Sequence, residues 1–353
     1  MLRDAMSALQ KLKPLSAALA ALAGLLLSVC LGVAFSPALA QQPPVCGGEN
    51  LLTKLKASAP KTAAQIEAEG RAVLNGAALL WRIEKKGVAP SYLFGTMHST
   101  DPRVTELTPA ARKAFGEAGT VVIETTDVLD KAKMAEALAQ NPQLTTFTGT
   151  QSLETALPAE KAAALKAALE ARGIPFASVS KTKPWLLATM LAIPACEQAR
   201  HAAGLPMLDI KLAQDARAEG KALLGLETGM DQLKTLASVP MEMHVDGVIE
   251  LLAMGDDALN LFETMIELYE AEKIGLYYPL IRHVAPKQMG DGEAGMQFEE
   301  IVVNARNRTM TQSALPILAE GNAFIAIGAL HLPGPQGMVE ELRRHGYTLS
   351  PVR

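Results

Sequence analysis

Aromatic residues are scarce in this 353-residue chain, at 4%. No Lys/Arg-rich run occurs anywhere in it, and the formal net charge is −4. Without a basic face, a nucleic-acid partner is not expected. Ala and Leu dominate in place of aromatics, so much of the chain should be helical. Low-complexity tracts are missing, and so are repeats, apart from one short spelling described below. There are three cysteines and six histidines. Hydrophobic residues make up 49% of the chain, enough for one large or two small cores.

The first forty residues read as an export signal. Arg3, Lys11 and Lys13 precede the apolar run LSAALAALAGLLLSVCLGVAF, and ALA at 38–40 supplies small residues for cleavage after Ala40. The expectation is a periplasmic or secreted protein. The same run is long enough to anchor the chain in the inner membrane if it stays uncleaved, the only membrane contact expected. LSVC, ending at Cys30, has valine where lipidation wants a small residue. Cleavage removes Cys30 and leaves Cys46 and Cys196, which permit one internal bridge in an oxidising compartment. The alternative is two buried free thiols.

Residues 41–77 read as a polar lead-in and a helix. ALLWRIEKKGVAPSYLFGTMH then reads as a hairpin of two strands. In TPAARKAFGEAG, Thr108 caps a short helix, Pro109 takes its first position and Gly119 stops it. TVVIETT and KALLGLET read as buried strands, with an Ala-rich helical stretch over about 128–205 between them and the helix of LPMLDIKLAQDARAEG just before the second. A further helical stretch covers 231–281. After MQFEEIVVNARNRTMTQSALPILAEG, another helix, come the strand AFIAIGALH, a helix in PQGMVEELRRHG and a last strand in YTLSPV. This order predicts an α/β domain over 78–353. Its central sheet is mostly parallel or mixed, flanked by helices, with a helical insertion.

The repeated spelling is Gly-x-x-His. SYLFGTMHST places His98 three residues after Gly95, and AFIAIGALHLPG places His331 three after Gly328. Four strand-like runs thus end in polar chemistry: His98, Glu124, Glu227 and His331. Ligands of α/β sheets bind beyond the carboxyl ends of strands, and glycine before each histidine lets a backbone or ligand come close. Two imidazoles and one or two carboxylates suit a divalent transition metal. With an open coordination position, such a metal acidifies a water and polarises a carbonyl. Other readings stay open. Glu124 and Glu227 could serve helix N-termini, and His331 could bond a turn. Arg306 and Asn307 could lie on a solvated helix face. Asp209 reads as a helix cap in preference to a site acid. His201, His244, His283 and His345 read as surface residues.

The ordered set LWRIEKKG…SYLFGTMHS, VVIETTD, GKALLGLET with its following Asp-Gln, ARNRTM and FIAIGALHLPGPQGMVEELRRHGY resembles the TraB/PrgY/GumN family. That family is related to the Tiki metalloproteases and, more distantly, to the ChaN and erythromycin-esterase (EreA) folds. The likeness runs over about residues 78–353. It implies a divalent metal (manganese or cobalt, with zinc as the alternative) and hydrolysis of a peptide or protein substrate. It also implies metal-ligand roles for His98, His331 and Glu124, with Glu227 next, and places Arg306 and Asn307 in the site. LPMLDIKL departs from the family's more frequent Gly-x-Asp and leaves Asp209 open. Two classes of function follow: a metal-dependent peptidase, or a non-catalytic protein that binds metal, haem or a peptide signal.

Overall fold

In the computed structural model, residues 46–284 and 293–353 are described; the expected export signal, with Cys30, lies outside them. The apolar runs form six strands: β1 (Leu80–Glu84), β2 (Ser91–Thr96), β3 (Thr120–Ile123), β4 (Ala222–Gly225), β5 (Ala323–Gly328) and β6 (Thr348–Val352). They make one mixed sheet in the order β4-β3-β5-β2-β1-β6. β1 and β2 are the expected antiparallel hairpin, and β6 pairs antiparallel with β1. β2, β5, β3 and β4 all run parallel.

Central parallel strands are covered on both faces, so they must be apolar throughout. β5 and β3 obey this, with Val121, Val122, Phe324, Ile325 and Ala326 at 0% exposure. Phe324 carries the centre of the core, its ring 5.6 Å from Phe94 and 5.5 Å edge-on to Phe115. β4 corrects the expectation of a buried strand. Among the described residues it pairs only with β3, at the sheet's edge, and three of its four residues are exposed.

Helix ends follow local chemistry. Thr108 accepts from Ala111 N–H at the start of Pro109–Glu117, with proline in the first turn. The lead-in contains a helix of its own, Leu51–Ser58, before the expected one at Pro60–Ala72. The break falls at Ala59 because Pro60 disfavours helical backbone in the residue before it.

A second apolar cluster, separate from the sheet's core, gathers Phe147, Leu153, Leu165, Leu169, Phe176 and Leu187 from the segment between β3 and β4. It is completed by Val245 and Val248 of the helix Met241–Met254, which follows β4. The expected bridge is present: Cys46 and Cys196 are bonded, 150 residues apart in sequence. Cys196 lies in the helix Ala195–Ala202, where Glu197 accepts from Thr100 N–H and Arg200 pairs with Asp101 at 3.2 Å. The bridge ties the Cys46 segment to this helix, and Glu197 and Arg200 in turn hold the helix against the loop that follows His98. No helix among the described residues is long and apolar enough to cross a membrane.

Candidate functional site

Because β4, β3, β5 and β2 are parallel, their carboxyl ends share one edge of the sheet. Glu124 follows β3 directly, Glu227 stands just past β4, and His98 just past β2. His331 ends a single 3-10 turn, Ala329–His331, after β5. Register brings the two histidine-bearing ends together, since Thr96 pairs with Gly328. A Cβ would be crowded at both, most severely at Gly95. A Cβ on Gly95 would stand 2.7 Å from Leu332 Cδ1 and 3.0 Å from Ala329 Cα, in the turn leading to His331. A Cβ on Gly328 would press on Glu124 Oε1 at 3.1 Å.

Arg306 joins the two carboxylates. Its Nη2 donates to Glu124 Oε2 and to Glu227 Oε1, each at 2.7 Å. Its Nε lies 3.2 and 3.1 Å from the two Glu227 oxygens. Glu124 also accepts from Gly328 N–H at 2.6 Å and from Gln232 Nε2 at 2.9 Å. Neither glutamate caps a helix. Thr125 and Thr228 do that work on the segments that follow.

His331 is fixed from behind. Asn307 Nδ2 donates to the Gln336 carbonyl at 2.8 Å, which turns Asn307 Oδ1 toward His331 Nδ1 at 2.7 Å. The proton therefore sits on Nδ1, and the Nε2 lone pair faces Arg306 Nη1 at 3.2 Å. His98 is arranged the same way: its Nδ1 lies 2.8 Å from Asp209 Oδ2, and Thr96 Oγ1 donates to Asp209 Oδ1 at 2.6 Å. Asp209 is thus no helix cap. Met207 holds the N-cap position of Leu208–Ala218, and the Asp209 carboxylate turns away to orient a histidine.

Arg306 and Asn307 do not lie on a solvated face; Asn307 is 1% exposed. A π-helical segment, Glu300–Asn304, precedes their helix Ala305–Glu320 and resets its register. Beside Arg306 opens a cleft of about 480 Å³, lined by Glu227, Thr228, Asp231, Thr235 and Thr309.

The charges follow from this packing. Burial pushes the Glu124 carboxyl up, but His331, His98 and Arg306 with the Gly328 N–H overcome it and hold it at about 2. Burial lowers the His331 imidazole to about 4, Arg306 adding to the effect and Glu124 opposing it. Asp209 draws the His98 imidazole above its ordinary value; its side chain is 60% exposed, so solvent tempers the interaction. Burial disfavours the Arg306 cation, but Glu227 and Glu124 more than offset this.

The donor chemistry fits a divalent metal: two imidazoles have Nδ1 held by an acceptor, beside an ionised carboxylate. Among the described residues, however, no three His, Cys, Asp or Glu side chains already stand close enough to hold a metal ion. Arg306 draws on Glu124 and His331 instead.

The structure brings Glu124, Glu227, Arg306, Asn307 and His331 into one contact network, with His98 at the same strand edge. Sequence reasoning missed Thr96, the orienting role of Asp209, and Gln232. The Asp-Gln pair after GLET was the signal for Gln232. The four remaining histidines all depart from a fully exposed surface reading and are half-buried; His244 Nε2 lies 2.9 Å from the Leu236 carbonyl.

The chain is similar to the metalloprotease TIKI1 of Danio rerio, 24% identical over 316 residues, covering 77% of this chain and 62% of that protein. No solved structure matches it. The model of the TraB/PrgY/gumN family matches residues 79–351, a span that contains every residue of the strand-edge network, and the chain belongs to that family.

Proposed function

We propose that the protein is an exported, divalent-metal-dependent hydrolase acting on a peptide or protein. The observation that carries this reading is the pair of oriented imidazoles. His98 is fixed by Asp209 and His331 by Asn307, in the manner of histidines that ligate metal through Nε2. The likeness to a metalloprotease supports the same class. His98, His331 and Glu124 would hold the ion, manganese or cobalt, with zinc as the alternative. When bound, such an ion supplies Lewis acidity.

The chain's own residues do the rest. Glu227, or Glu124 if it is not a ligand, takes a proton as general base. Arg306, released from a carboxylate, steadies an oxyanion or a substrate carboxylate. Asn307 keeps the His331 proton on Nδ1. The cleft beside Arg306 offers a polar wall for an extended substrate. Export beyond the inner membrane is supported by the N-terminal signal pattern and by the Cys46–Cys196 bridge.

A second reading, non-catalytic binding of metal, haem or a peptide signal, draws on the pairing of both carboxylates with Arg306. A base held by a guanidinium takes a proton poorly. The test is elemental analysis of protein purified without chelator, followed by cleavage of a peptide library with manganese, cobalt and zinc supplied in turn. Metal retention with turnover supports the hydrolase. Tight retention with no cleavage across the library favours the binding protein.

A further inference from the structure

All five N–H donors of a guanidinium lie in one rigid fork, and here every nitrogen faces an acceptor. Nε and Nη2 engage Glu227, and Nη2 also reaches Glu124. Nη1 faces His331 Nε2 at 3.2 Å and the Val302 carbonyl at 3.4 Å. The two sides of the fork differ. On the Glu227 side, three contacts at 2.7–3.2 Å tie Arg306 to a residue just past the edge strand. On the other side, Glu124 is held by one contact and His331 by another, and these offer the lone pairs that a metal would need.

We infer that Arg306 is an exchangeable latch on the metal site, hinged on Glu227 and closing over Glu124 and His331. This rests on the metal-dependent reading above and adds its regulation. At His331 a guanidinium and a metal draw on the same single Nε2 lone pair, so there occupancy by one excludes the other. A second consequence concerns the substrate. With every donor engaged, the closed latch has none for an anionic group; only after leaving Glu124 and His331 can its freed N–H groups point at the cleft lined by Glu227 and Thr228. Metal loading and the appearance of an anion-binding arginine are therefore one event. A closed state populated ten to one over the open state weakens apparent metal affinity about tenfold.

The experiment titrates manganese into the full mature protein, with calorimetry reading the dissociation constant. Arg306→Met should bind at least about tenfold tighter than wild type. Arg308→Met is the control for charge alone, because Arg308 lies on the same helix but pairs with Glu300 at 2.5 Å; it should change the constant by less than about twofold. Arg306→Lys, a point charge that cannot span the acceptors, should tighten binding by a smaller factor, and it decides the matter if Arg306→Met does not fold. Folded Arg306 variants that bind manganese as wild type does, or more weakly, overturn the latch while leaving the metal site standing. A gain equalled by Arg308→Met also overturns it. Failure of wild type and all variants to bind any divalent ion overturns the metal reading and the latch with it.

Discussion

Replacing Asp209 by alanine separates an orienting carboxylate from a helix cap. Its side chain is 11% exposed and makes two short contacts, to His98 Nδ1 at 2.8 Å and from Thr96 Oγ1 at 2.6 Å. Hydrogen bonds to a charged group contribute about 1.5–3 kcal/mol each, and a buried hydroxyl left without an acceptor costs about 1–3 kcal/mol. Thr96 is 1% exposed, so its hydroxyl depends on the carboxylate for an acceptor in the intact protein. Alanine should therefore cost about 2–4 kcal/mol of stability. It should also free the His98 ring to turn and to exchange tautomers, lowering metal affinity about 10–100-fold. A residue that served only the helix terminus would cost about 1 kcal/mol and leave metal affinity alone. Urea denaturation of the metal-free protein and manganese titration by calorimetry read the two quantities. A loss of 1 kcal/mol or less with unchanged manganese affinity refutes the orienting role.

Loss of the bridge should be costly. A 150-residue separation gives about 5 kcal/mol in the chain-entropy account, so Cys196→Ser should lower the urea midpoint by the equivalent of about 2–5 kcal/mol; a change under 1 kcal/mol would mean that the unfolded chain is little constrained. The carboxylates should part in mutation. His331→Ala loses metal and turnover together, whereas a glutamate serving only as base, changed to glutamine, keeps the metal and loses turnover; identical behaviour of Glu124→Gln and Glu227→Gln in both measurements would exclude a division of labour. Acid should weaken the metal-free protein in two stages. His331 and Glu124 both have folded pKa values below their unfolded ones, so their contributions are complete above about pH 6.5 and are lost as pH falls toward about 4 for His331 and about 2 for Glu124. The His331 share is about 3 kcal/mol, and a His331→Gln variant with the same slope of stability between pH 6.5 and 4 as wild type would show that it has none.

Which residues end the strands is legible in the sequence, because β2, β3 and β5 are apolar runs that stop at a polar residue or a glycine. The spacing from Gly95 to His98 and from Gly328 to His331 is legible too, and crowding bears on both glycines: a Cβ on Gly95 would collide with the turn after β5, and one on Gly328 would press on the Glu124 carboxylate. β4 misleads, since an apolar run at a sheet edge spells like one at the centre. Asp209 misleads for a different reason. A carboxylate at the start of a helix is locally a cap, and only the chain's return to β2, over a hundred residues away, reassigns it to His98. Arg306 and Asn307 are adjacent in sequence yet both turn inward, which an ideal helix with one solvated face does not predict; the π turn before them has no spelling of its own.

The charge of the assembled edge then bears on what it can take. Glu124, Glu227 and Asp209 contribute three negative charges, and Arg306 returns one positive. His331 is neutral near pH 7, because burial holds it down. His98, drawn up by Asp209, offsets a second charge only while it carries its extra proton. The sum is therefore −1 with His98 protonated and −2 without, on side chains that are largely buried apart from His98. An unpaired negative charge at such depth is unfavourable, and a cation relieves it. The guanidinium relieves part and cannot relieve all, since it already spans two carboxylates. A divalent ion that displaced the His98 proton would bring the sum to zero with Arg306 paired to Glu227 alone, whereas Arg306 without it leaves the edge negative.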